Sequence, residues 1–308
     1  MDGSVARPRP FLALAIRLMT AVVFATMSML VKLAGERGVH LAELVFWRQA
    51  ITLALVVLTL AILGKLASVR TQRVGAHARR AIFGIAGMFF VYGAVMLLPL
   101  AEATAISFTA PFFAVLLSVI LFGEKIGKYR WGAVALGFAG VLFLTQPAFG
   151  LGDAGSINPF GAAVGLVAAF LVSVISFQVQ DLNKTETPWS IVFWFVLLTT
   201  PVMALALPFV IQPHDAETWA IIIAIAVAGA LAQILLTSSL RFGSAGVILL
   251  MDYTSLLWAT WYGWTIFDRT PPATLWIGAP LIIGAGLLIA WRERQLAVAR
   301  QKTETVQP

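Results

Sequence analysis

Ten stretches of this chain are long, apolar and almost free of charge, and they fall into two sets of five. A hydrocarbon core about 30 Å thick takes roughly 20 helical residues to cross. The stretches lie at approximately 11–32, 42–63, 81–98, 103–122, 130–146, 159–180, 190–211, 218–240, 244–266 and 274–291. The predicted fold is therefore an all-α integral membrane protein with ten transmembrane helices. The connections are short, and no soluble domain is inserted among them. The first stretch is too long for the core of a signal peptide and lacks a small-residue cleavage site, so it reads as a retained span.

Length alone would allow two soluble domains, but 60% of the residues are hydrophobic and only 11% are charged. A soluble domain carries about 25% charged residues. With no cysteine in the chain, disulfides and thiol chemistry are excluded. His40, His77 and His214 lie far apart in sequence, so no metal site is expected.

The net charge of +7 could suggest a nucleic-acid surface, but its distribution argues otherwise. With the N-terminus in the cytoplasm, 16 of the 21 lysines and arginines fall on the cytoplasmic side. Three (Lys32, Arg37 and Arg269) fall on the other side, and Arg17 and Arg48 lie within spans. Basic residues are retained inside during insertion. Both termini are thus predicted to be cytoplasmic, and no nucleic-acid partner is expected.

Five spans per half make the second half enter the membrane the other way up, as in the inverted repeats of secondary transporters. The halves, 1–150 and 151–308, share an order of features. Ala103–Leu144 and Val247–Ala290 each run from an apolar span through an aromatic-acid-base turn to a glycine-spaced span. Glu124 matches Asp268, and Gly132 and Gly140 match Gly278 and Gly286.

Several of these segments resemble the EamA-type carriers of the drug/metabolite transporter superfamily. They are Phe46-Trp47-Arg48, the run TAPFFAVLLSVILFGEKI, and the closing YTSLLWATWYGWTIFDRTPP with GAPLIIGAGLL. The resemblance covers nearly the whole chain. It implies alternating access in a bacterial inner membrane, with a central cavity lined by spans one to four and six to nine. The fifth and tenth spans would pack outside. Riboflavin, S-adenosylmethionine, or amino acids and related metabolites are the solutes it suggests. One departure is that Ser255 stands where the first half has Pro111.

Among candidate site residues, Asp252 lies ~13 Å into its span at 1.5 Å per residue. A carboxylate there needs a partner, a water-filled cavity or a proton. At 100° per residue Asp252, Ser255, Ala259 and Gly263 share one face, with Tyr262 at its border. Asp252 reads either as a proton or substrate-cation site or as a fixed structural pair. Arg48 could pair with Asp252 or hold a substrate carboxylate or phosphate; the plainer reading is snorkelling. Glu43 reads as interfacial, and Arg17 and Lys32 as snorkelling near opposite ends of the first span.

Polar or small faces recur in the fourth span (Thr104, Ser107, Pro111, Ala114, Ser118), the sixth (Gly165, Ala169, Ser173, Ser176, Gln180) and the eighth (Gly229, Gln233, Thr237). Each could line a cavity or serve close packing. Gln233 is the most site-like of these, since an amide in mid-span needs partners. Pro111 is expected to kink its helix and free a carbonyl. Tyr92, Tyr253 and Tyr262 are cavity candidates, whereas Trp258, Trp261 and Trp264 suit a lipid-facing belt. Gly132, Gly137, Gly140, Gly278, Gly284 and Gly286 suit close packing of the fifth and tenth spans.

No phosphate loop, nucleophile triad or metal-ligand spacing is present, and no cofactor is expected. Transport would draw on a gradient, with Asp252 carrying a coupling proton or binding solute. Uptake of a riboflavin-like heteroaromatic is the leading expectation, since tyrosine, amide and hydroxyl groups suit a ring with a polyol tail. Export or import of amino acids or S-adenosylmethionine is the alternative. A lipid translocase or membrane enzyme, or a sensor without transport, are readings of another class. A homodimer through the outer spans is left open.

Overall fold

A computed structural model describes residues 10–123, 126–146, 158–242 and 252–304. They form eleven α-helices: α1 Pro10–Glu36, α2 Leu41–Ile62, α3 Val74–Leu97, α4 Leu100–Ser107, α5 Ala110–Phe122, α6 Lys128–Thr145, α7 Pro159–Leu182, α8 Pro188–Val210, α9 Ala216–Phe242, α10 Ser255–Thr265 and α11 Ala273–Glu304. Eight candidate spans among the described residues are long and apolar enough to cross a membrane. Expected and observed boundaries agree closely except at α3, which begins at Val74, and α11, which runs on to Glu304. Part of the ninth expected span, 244–251, lies outside the described residues, as does Glu124. The outer surface is apolar: Phe209 is 88% exposed, with Ile62, Ile120 and Leu205 close behind, as suits a lipid-facing bundle.

The helix contacts repeat between the halves. α1 packs on α9 as α3 packs on α7, α1 on α10 as α7 on α4, and α2 on α9 as α8 on α3. The pairs α2–α8, α4–α10 and α6–α11 each join equivalent helices. This symmetry suggests an inverted repeat.

α6 and α11 meet almost backbone to backbone. A Cβ at Gly140 would lie 3.0 Å from the Gly278 carbonyl, and one at Gly278 would lie 2.9 Å from the Gly140 carbonyl. Other glycines depart from the expected role. Gly137 accommodates the Phe112 ring and Gly286 the Tyr253 hydroxyl, while Gly132 and Gly284 have nothing within 4 Å. Only part of the glycine set, then, serves the contact between fifth and tenth spans.

The fourth expected span is two helices rather than one kinked helix. The break falls at Phe108–Thr109, and Pro111 sits in the first turn of α5, where its missing N–H costs nothing. The Ile106 carbonyl is satisfied by the Thr109 backbone N–H at 3.0 Å and the Thr109 hydroxyl at 2.7 Å. An equivalent break precedes α10 at Tyr253–Thr254 without a proline. There the Ser255 hydroxyl donates to the Asp252 carbonyl at 2.6 Å. The two breaks touch, since the Phe108 and Tyr253 rings meet edge to face at 4.8 Å.

Candidate functional site

The broken segments bring polar groups to the middle of an apolar bundle, where backbone and side chains must satisfy one another. Asp252 stands at the second break. The Arg17 guanidinium holds its carboxylate as a fork, Nε to Oδ1 at 2.6 Å and Nη2 to Oδ2 at 2.5 Å. The Arg17 side chain is 10% exposed and that of Asp252 30%. Asp252 therefore pairs with Arg17, not with Arg48, and Arg17 does not snorkel. The pairing joins residues 235 positions apart across the two halves.

Further along the same two helices, the Thr26 and Tyr262 hydroxyls share a hydrogen bond of 2.8 Å. Next to Thr26, Met27 accepts from the Tyr92 hydroxyl, Oη to Sδ at 3.7 Å. The Tyr92 ring lies 5.9 Å from the Arg48 guanidinium. Arg48 is buried and donates to Gln49 Oε1 at 3.0 Å and Met88 Sδ at 3.2 Å, and Gln49 donates to Thr199 at 2.6 Å. A polar seam thus runs from α10 across α1 and α3 to α2 and α8.

The inward face of α10 is as expected, with Ala259 and Gly263 buried. Trp261 and Trp264 are exposed on its other side. Tyr253 turns its hydroxyl to Gly286 of α11, away from the seam. The Ser107 hydroxyl donates to the Thr104 carbonyl at 2.6 Å, and the hydroxyls of Thr104, Ser118, Ser173 and Ser176 likewise return to carbonyls of their own helices. Such back-bonding is the local habit of these residues. Gln180 is exposed on α7 and Gln233 half-buried on α9; the Thr237 side chain lies outside the described residues.

Both faces of the bundle carry charged clusters that sequence reasoning missed or misplaced. Glu43, expected at the interface, is fully buried in protein there, with His214 at 3.0 Å and Trp47 Nε1 at 3.4 Å. Arg37 pairs with Glu217 beside it. On the opposite face Arg73 reaches Asp181 at 2.5 Å and Thr185 at 2.9 Å, and Thr71 reaches Glu186 at 2.5 Å. His77 lies 3.8 Å from Glu186.

Lys32, expected to snorkel, is held by protein groups. Its Nζ donates to the Leu98 carbonyl at 2.9 Å and lies 5.7 Å from the centre of the Phe267 ring. With Glu102 and Arg269 it lines a small cleft of about 70 Å³. Glu102 was missed because the expected span began one residue later, although Pro99 before it marks a helix start.

The sequence profile of the EamA-like transporter family matches residues 11–146 and 159–291. A riboflavin transporter of Vibrio cholerae is 28% identical over 92% of this chain and 97% of its own length. One from Rhizobium johnstonii is 30% identical over 74% of each chain. A pseudopaline exporter of Pseudomonas aeruginosa is 26% identical over 89% of this chain and 94% of its own. A solved crystal structure superposes with a TM-score of 0.63 at 22% identity, covering 92% of this chain and 97% of the other, which speaks to the fold alone.

Proposed function

Because the chain belongs to the EamA-like transporter family, and so moves a small solute across a membrane, we propose that it takes up riboflavin or a similar heteroaromatic across the bacterial inner membrane. The observation that carries this reading is the likeness to a riboflavin transporter along nearly the full length of both chains. In this proposal ten helices cross the bilayer as two inverted sets, residues 1–150 and 151–308, with both termini in the cytoplasm. The broken helices supply the midplane site, as in other carriers built from inverted repeats.

The proposed roles lie along the seam. Tyr262, Tyr92 and Thr26 offer ring faces and hydroxyls to a flat solute with polar substituents. Asp252 is the coupling group: protonation cancels its charge, frees the Arg17 fork and loosens the tie between α1 and the second break. The two halves then rock about the site, opening one face while the other closes. Gln233 lies on α9 between α1 and α2 and completes the polar lining. Neither a nucleotide nor a metal takes part in this cycle.

The test is uptake of labelled riboflavin by cells that cannot make it, comparing the parent, Asp252→Asn and empty membranes at equal abundance. Uptake by the parent and its loss in the variant are expected. No uptake by the parent would exclude riboflavin import. A second reading, export, is favoured by the likeness to a pseudopaline exporter. Faster efflux of labelled solute from preloaded cells, with no uptake, would select it.

A further inference from the structure

Two buried arginines stand apart from the Arg17–Asp252 pair. Arg48 on α2 is 6% exposed and Arg80 on α3 is 9% exposed. A guanidinium stays charged at any working pH, and an unpaired buried charge is costly. Yet among the described residues neither has a carboxylate within 4.0 Å. Arg48 Nε and Arg80 Nε and Nη1 are buried without a hydrogen-bond partner.

The arginines are seated, not merely trapped. A Cβ at Gly229 would lie 2.8 Å from Arg48 Nε, and one at Gly84 would overlap the Arg80 guanidinium. Each thus fills a notch that only glycine leaves open. Aromatic faces give partial compensation, Phe195 at 4.4 Å from Arg80 and Tyr92 at 5.9 Å from Arg48. Arg48 touches Met88, and Arg80 lies against Gly84, four residues earlier on the same helix. Both side chains therefore stand against neighbouring turns of α3. A carboxylate or phosphate has oxygens enough to accept charge-assisted bonds from two guanidiniums at once.

We propose that Arg48 and Arg80 form a two-guanidinium receptor for an anionic group, carboxylate or phosphate, on the transported solute. This rests on the carrier reading and not on the flavin. It names a solute class: small heteroaromatics that bear an acid, taken in preference to their neutral counterparts. In this proposal the ring lies at Tyr92, next to Arg48, and the acid between the arginines.

The test uses purified full-length carrier in lipid nanodiscs and reads binding and the unfolding midpoint. The probes are nicotinate against nicotinamide, riboflavin 5′-phosphate against riboflavin, and inorganic phosphate against chloride at equal ionic strength. Paired charge-assisted hydrogen bonds predict that an anionic probe binds roughly tenfold to a hundredfold tighter than its neutral match. Nicotinate preference points to a carboxylate, and preference for either phosphate probe to a phosphate. Arg48→Gln and Arg80→Gln should each bring the preference within about twofold, with Arg80→Lys intermediate. Without ligand, Arg80→Met should melt no lower than the parent, because an unpaired charge is removed. The proposal is overturned if no anionic probe exceeds its match on the parent, or if the glutamine variants keep the preference. It is also overturned if Arg80→Met melts lower, which marks a structural arginine. Absence of riboflavin uptake bears on the flavin reading alone, since nicotinate and phosphate report on the receptor independently.

Discussion

Replacing Arg17 by Met and Asp252 by Leu, singly and together, tests whether the forked pair couples the two halves. Removing one partner of a fully buried pair costs about 3–5 kcal/mol, and an exposed pair is worth about 0–1 kcal/mol. The side chains here are 10% and 30% exposed, and two hydrogen bonds of 2.6 and 2.5 Å make the contact bidentate. An intermediate value of about 2 kcal/mol follows for each single replacement. At about 2–4 °C per kcal/mol for domains of 150–250 residues, each single variant should melt roughly 4–8 °C lower. The double variant exchanges the pair for apolar contact and should melt within about 2 °C of the parent. Unfolding in nanodiscs can be followed by intrinsic fluorescence, since the chain has ten tryptophans. Strictly additive losses in the double variant would mean that the pair is not coupled, and the reasoning would fail.

Gly278→Leu should abolish stable folding, because its side chain must displace the Gly140 carbonyl 2.9 Å from Cβ, while Gly284→Ala, with nothing within 4 Å among the described residues, should leave the melting midpoint unchanged; equal effects would refute the close α6–α11 contact. Tyr262→Phe removes the hydroxyl bonded to Thr26 and should lower stability by about 1 kcal/mol without loss of expression; no change in the midpoint would show that the bond contributes nothing. Because the chain has no cysteine, pairs can be placed at 37 and 217 or at 73 and 181. A reducible bifunctional thiol reagent across either pair should stop uptake until it is reduced, and unaffected uptake with both pairs bridged would rule out opening at these faces.

The spans were legible because an apolar helix of bilayer length is a strong, local signal. The polar residues inside were not, for reasons that differ residue by residue. Arg79 and Arg80 read alike as cytoplasmic charge ahead of a span starting at 81. The helix in fact starts at Val74 and puts Arg79 outside and Arg80 within. The pattern His77, Arg80, Gly84, Gly87 at helical spacing was the available clue. Asp252 was found by its depth, but its partner was not, since nothing local links positions 17 and 252. The second helix break was invisible for another reason. A proline announces a break, whereas Thr254 and Ser255 make one through backbone and hydroxyl bonds that many sequences could form.

The placement of strong and weak contacts bears on how such a bundle could move. Across one face Arg37–Glu217 and His214–Glu43 tie α1 and α2 to the start of α9 and the segment before it. Across the other, Arg73–Asp181 and Thr71–Glu186 tie the α2–α3 connection to the end of α7 and the segment after it. The ion pairs Arg37–Glu217 and Arg73–Asp181 are partly exposed and screened by solvent, so they hold their faces weakly. A solute or a proton with modest preference for one state can overcome that. The α6–α11 contact is different in kind. There each backbone fills the notch of the other, and any slide must open a void along the whole crossing. Opening therefore costs least at the charged faces and most at the glycine seam, which makes the seam the fixed element about which the rest can rock.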